Sequence, residues 1–179
     1  MNPAAICSVF FAPARLATLI AELSVPQLKA VMKSGGIKLK TSASVISPSR
    51  RRAQWGQQVI GAIERGNDSL AAELLQQFLL HHRRPLLIDY LDALGVKHTA
   101  GETDQSFLSE TLAERARECA AGLLARHDPA ETAAYLSYIA FQQRSSVFDG
   151  WEPLQRLAAA PASPALTDPT GSAPVATGG

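Results

Sequence analysis

Apolar residues recur along most of this chain at three- and four-residue steps, the spacing of one helical face rather than of a strand. Leu16, Leu19, Ile20 and Leu23 make the first such stripe. Ser24 then reads as an N-cap, with Pro26 in the first turn and Gln27 placed to complete a capping box, and Gly35-Gly36 end that helix. Residues 37–46 lose the period and read as extended or looped. Ser47-Pro48 starts a helix that carries Trp55, Val59, Ile60 and Ile63 on one side and closes at Gly66. Asn67-Asp68 cap the next, with Leu70, Leu74, Leu75, Phe78 and Leu79 as a broad stripe; Arg84-Pro85 breaks it, and a short apolar helix follows as far as Gly95. After a polar loop over 96–104, Leu108, Leu112, Ala116, Cys119, Ala120 and Leu123 predict a longer helix ending near His127. Asp128-Pro129 opens a helix with Tyr135, Leu136, Tyr138 and Ile139, and Trp151, Leu154 and Leu157 predict a last short one. No strand pair is evident. The expected class is all-α, a multi-helix bundle whose short connections make sequential helices antiparallel neighbours.

Two stretches echo each other: "LLHHRRPLLIDYLDAL" from Leu79 and "LLARHDPAETAAYLSYI" from Leu123. Each has a double Leu, a polar step, a Pro and then Tyr-Leu. This fits paired-helix repeats as well as it fits two helix–Pro–helix corners.

Composition narrows the class further. With 46% hydrophobic and 18% charged residues, the chain carries enough Leu, Ile, Val and Ala for a core. Residues 158–179, rich in Ala, Pro, Ser, Thr and Gly, have no period to bury and are expected to be disordered. The N-terminal apolar run has no Lys or Arg before it, unlike a secretory signal, and Pro13 and Arg15 interrupt it well short of the ~20 residues of a membrane span. It reads as buried or partner-packed. Cys7 and Cys119 lie far apart, without the spacing of a zinc site or the density of a disulfide framework, so a cytoplasmic location is expected.

Candidate chemistry is sparse. The four histidines show no ligand spacing, no glycine-rich loop follows a strand, and neither metal nor cofactor is called for. Asp89 and Asp92, three apart on a helix, are the one carboxylate pair placed for acid–base work, with Arg83 and Arg84 nearby. The expectation is a protein without catalysis, and an enzyme using these two aspartates is a distant alternative.

Charge is uneven. Residues 1–66 hold nine Lys/Arg and two Glu, whereas 67–179 hold eight Lys/Arg and fourteen Asp/Glu. This divides the chain into a basic helical segment (1–66), an acidic helical region (67–157) and the tail. Between Leu23 and Ile63 stand Lys29, Lys33, Lys38, Lys40, Arg50, Arg51 and Arg52 with no acidic residue among them. Such a block creates a potential that attracts polyanions.

The stretch "LSVPQLKAVMKSGGIKLK" also resembles the first half of a SAP motif, a small helix–extended–helix module used to bind DNA. Leu23, Ser24, Val25, Leu28, Lys29, Met32, Lys33, Gly36 and Ile37 follow its order, with one residue inserted at Gly35. The match ends at Lys40: "TSAS" replaces the motif's Gly-Lys-Lys turn, and Pro48 falls where its second helix would run. The resemblance implies that Lys38, Lys40 and the start of the next helix face phosphate, joined by Arg50, Arg51 and Arg52.

Three readings follow. In the first, the basic half contacts DNA or another polyanion through phosphates. In the second, the basic block docks on the acidic helices around Asp89, Asp92, Glu102, Asp104 and Glu110, within one chain or between subunits. In the third, the chain is a helical adaptor or self-associating protein using "ICSVFF" near the N-terminus or the surface around Trp151.

Overall fold

The structure, a computed structural model, describes residues 1–38 and 47–160. The described residues are organised by nine α-helices and one 3-10 turn, with a single isolated bridge between Thr99 and Glu102. The all-α class expected from the periodicity is what the chain adopts. The loop expected over 37–46 and the tail expected over 158–179 lie mostly outside the described residues; within them, the last helix continues through Ala159.

Helix α1 (Pro3–Phe10) has no counterpart in the periodicity argument, because nearly every position in it is apolar. Asn2 caps it by accepting from Ala5 N, and Asp68, 64 positions away from Ala4, accepts from Ala4 N at 3.1 Å. Ile6, Cys7, Phe10 and Phe11 are all buried. Most of "ICSVFF" is therefore part of the protein's own core. Helix α2 (Pro13–Glu22) turns by 111° from α1, so α1 packs on α5 (Asp68–His82) and α8 (Pro129–Gln143) instead of lying along its sequence neighbour.

Helix α3 (Val25–Ser34) opens with the expected capping box between Ser24 and Gln27 and buries Leu28, Val31 and Met32. Helix α4 (Pro48–Glu64) is capped by Ser47. Two contacts fix how the pair is oriented. Arg52, in the second turn of α4, donates to the carbonyls of Ala21 and Leu23 just before α3, and Asn67, just after α4, donates to Gly35 O at the end of α3 (3.1 Å). Start meets start and end meets end. These two helices run parallel, against the antiparallel arrangement expected for sequential neighbours.

Gly35 and Gly36 stop α3 for different reasons. Gly36 has φ +69, the left-handed region that suits glycine, but Gly35 sits at φ −80. What Gly35 provides is closeness: a Cβ there would lie 2.8 Å from Leu70 Cβ. That contact seats α3 on α5.

The second half follows the expected order through α6 (Arg84–Leu94), α7 (Ala113–Arg126), α8 and α9 (Glu152–Ala159). Helix α7 starts later than Leu108 because Gln143 Oε1 accepts from the backbone N–H groups of Phe107 (3.0 Å) and Leu108 (2.9 Å), holding that stretch out of a helix. Helix α8 buries every residue from Glu131 to Tyr138, the signature of a helix at the centre of a bundle. A single apolar cluster, running from Ala4 to Phe148, joins the basic and acidic segments.

Candidate polyanion-binding face

Helix α3 faces the core with Leu28, Val31 and Met32, which leaves Lys29 and Lys33 exposed one turn apart on the opposite side. Lys38 is exposed beyond the end of the helix, and Arg50 is exposed in the first turn of α4. Because α4 starts beside the start of α3, Arg50 lies towards one end of α3 and Lys38 towards the other. Among the described residues, none of these four side chains has a carboxylate within ion-pairing distance.

The remaining members of the predicted block divide. Arg52 is half-buried and spends its guanidinium on the carbonyls of Ala21 and Leu23, where it caps the exposed end of α2. It is a fixture of the fold. Arg51 is half-buried and has a partner of its own. Lys40 lies outside the described residues. A groove of about 350 Å³ opens between α2 and α4 beside Arg52, floored by Ala17, Ile20, Ala21, Ala53, Gly56 and Ile60.

Among the described residues, most of the acidic side chains singled out in the sequence are engaged elsewhere. Asp89 pairs with His127 (2.8 Å) and Arg126 (3.8 Å), Asp92 with His98 (3.0 Å), Glu102 with Arg84 (3.9 Å), and Glu110 accepts from Ser146 Oγ. Asp104 has no ion-pair partner among the described residues. The only early-chain cation that crosses to the acidic half through an ion pair among the described residues is Arg15, which meets Glu131 at 2.5 Å and Asp128 at 3.7 Å.

The same contacts describe the aspartate pair. His98 Nδ1 accepts from Gly101 N, so its Nε2–H donates to Asp92, and His127 holds Asp89 separately. The two carboxylates face different histidines. Of the four histidines, His98 and His127 each hold a carboxylate, and only His81 is exposed. Among the described residues no group of three or more His, Cys, Asp or Glu converges as a metal site would require. Trp151, the other proposed adaptor surface, is half-buried with its ring 5.6 Å from Phe148.

The strongest electrostatic feature was invisible to motif reading. Glu131, 5% exposed at the start of α8, accepts from Arg15 on α2 and from both Nε (2.5 Å) and Nη2 (3.0 Å) of Arg83. Arg83 also donates to Glu22 (3.1 Å) and lies 4.6 Å from the centre of the Phe78 ring. Its affinity for the proton rises above the ordinary guanidinium value, chiefly through the hydrogen bond to Glu131. Arg83 sits at one of the two look-alike helix corners, and Glu131 and Asp128 at the other. The echo in the sequence marks two corners that meet at one charge cluster around the buried Glu131.

No family model matches the chain, and neither the curated proteins nor the solved structures contain one similar to it. No single helix among the described residues is long and apolar enough to cross a membrane.

Proposed function

We propose that this chain is a non-catalytic helical protein that binds DNA through its phosphates, using the outer face of α3 and the first turn of α4. Lys29, Lys33, Lys38 and Arg50 make the phosphate contacts, with Arg51 and Lys40 contributing, and Arg52 holds the start of α4 in place. The observation that carries this reading is the set of four exposed cations without a carboxylate partner among the described residues. In a chain of net charge +1, charges arranged only for solubility would be interspersed with acids. The resemblance of Leu23–Lys40 to half a SAP motif points the same way. No side chain here is arranged to read base edges, so binding independent of sequence is proposed.

The test is the electrophoretic mobility of a short duplex at low salt. The protein retards it, and the triple variant Lys29→Ala, Lys33→Ala, Arg50→Ala does not. Unchanged mobility with the wild-type protein at low salt refutes the proposal. A second reading, a helical adaptor, is favoured by one observation, the apolar groove between α2 and α4; it predicts a partner lost on Ala53→Glu while DNA retardation stays unchanged.

A further inference from the structure

A larger groove, of about 810 Å³, lies where the end of α8, the turn over 144–150 and α9 come together beside α1. Phe10 and Phe148, both buried, floor it, and Phe141 stands exposed on its rim. Ser137, Ala140 and Phe141 fall at helical steps of three and four, so the groove follows one stripe of α8 from the core out to solvent. Helix α9 adds Leu154 and Ala158 to the wall, yet none of its residues is fully buried. Its apolar stripe is only half covered by the rest of the chain.

Two features separate this groove from ordinary surface. The first is apolar exposure. Four large hydrophobic side chains are exposed among the described residues, and two of them, Met1 and Phe141, line this one groove. Apolar side chains exposed singly need no explanation, whereas a contiguous set beside a half-covered helix face marks a contact surface. The second feature is charge. Arg144 and Asp149 are the two charged residues of the lining; both are exposed, and neither has an ion-pair partner among the described residues. Arg144 also ends α8 at φ +51, in the left-handed conformation where glycine is usual, so an arginine stands there against the preference of the backbone.

A surface that carries one cation and one anion beside an apolar floor is complementary to itself. A two-fold axis brings residue i of one copy to residue j of the other, and j to i, so both charges are answered at once. A ligand of single charge would answer only one of them. We propose that this groove is the contact between two copies of the chain: Phe141 of each copy enters the groove of the other against Phe148 and Leu154, and Arg144 faces the partner's Asp149 on both sides of the axis. Helices α3 and α4 contribute no residue to this groove, so the dimer stands whether or not the DNA-binding reading holds.

The experiment is sedimentation velocity of the full chain over a concentration range of about 1–200 μM. The mass should rise from 19.1 kDa toward twice that value, with Kd about 10–100 μM, the weak range suited to a contact built around one groove. Phe141→Ser should weaken association at least about 10-fold, as loss of a central aromatic anchor does. Arg144→Asp or Asp149→Arg alone sets like charges opposite each other twice and should weaken the dimer about 10-fold; the two together restore opposite charges and should return Kd to within about 2-fold of wild type. All three residues are exposed, and melting temperatures verify that each variant is folded; if Phe141→Ser does not fold, the charge reversals and their combination decide alone. The proposal is overturned by a mass that stays at 19.1 kDa throughout, by a dimer equally tight in Phe141→Ser, or by a combined charge variant as weak as the single ones.

Discussion

Replacing Glu131 by Gln tests the charge cluster that ties the two halves together. The substitution keeps the side chain's shape and removes one buried negative charge from between two arginines. Glu131 has 6% side-chain exposure, whereas Arg15 and Arg83 each retain 28%. Breaking a fully buried pair by deleting one partner costs about 3–5 kcal/mol, because the other charge is stranded. Here both arginines can be partly rehydrated, Arg83 keeps Glu22 at 3.1 Å, and Gln still accepts one hydrogen bond, so the expected loss is about 2–3 kcal/mol. For a chain of this length that is a fall of roughly 4–12 °C in melting temperature. Urea unfolding of wild type, Glu131→Gln, Arg83→Met and the double variant measures it, and the double-mutant cycle should return a coupling of at least about 1 kcal/mol. The loss should persist in 1 M NaCl, since buried pairs are screened far less than surface ones. A loss below about 0.5 kcal/mol, the range of ordinary surface substitutions, would show that the cluster does not organise the fold.

Other consequences are as direct. Gly35→Ala should destabilise by about 1–3 kcal/mol through overlap with Leu70, although φ −80 suits alanine, and a urea midpoint equal to wild type contradicts the close approach of α3 and α5. Deleting residues 1–12 removes the buried Ile6, Phe10 and Phe11, each worth about 1.5–3 kcal/mol, and should abolish cooperative unfolding followed by circular dichroism; a sharp transition in the truncated protein sinks this placement of α1. Burial raises all three tyrosines, Tyr138 to about 12 and Tyr90 and Tyr135 further, so the unfolded chain loses phenolic protons near pH 10 while the folded one keeps them. Stability is therefore full below pH 10 and falls as pH rises above it, by up to about 4 kcal/mol per pH unit. Absorbance at 295 nm should show tyrosinate only as the fold is lost, and a smooth titration near pH 10 in folded protein refutes it.

Local signals in the sequence carried much of the fold. The Ser24–Gln27 box, the Ser47-Pro48 and Asp128-Pro129 starts and the Gly95 stop all appear where their chemistry places them, because each acts within one turn of its own residue. Helix α1 escaped because a segment buried almost all round shows no amphipathic period. The parallel run of α3 and α4 escaped because it depends on Arg52 and Asn67 reaching residues 29 and 32 positions away. For the same reason Arg52 read as a phosphate ligand when its side chain closes α2. Glu131 and Arg83 carried no mark beyond their places at helix corners, since ion pairs 48 positions apart leave no spacing to detect. What the charge count did reveal is Lys29, Lys33, Lys38 and Arg50, whose exposure follows from the core pattern of α3 and the start of α4.

The central claim is that these four cations form an anion-binding surface, and the salt dependence of DNA affinity tests it most directly. Three to four phosphate contacts predict a slope of log Kobs against log[NaCl] of roughly −3, falling by about 1 in magnitude for each of Lys29→Ala and Arg50→Ala. An affinity that does not change with salt, or a slope the same in wild type and both variants, contradicts it.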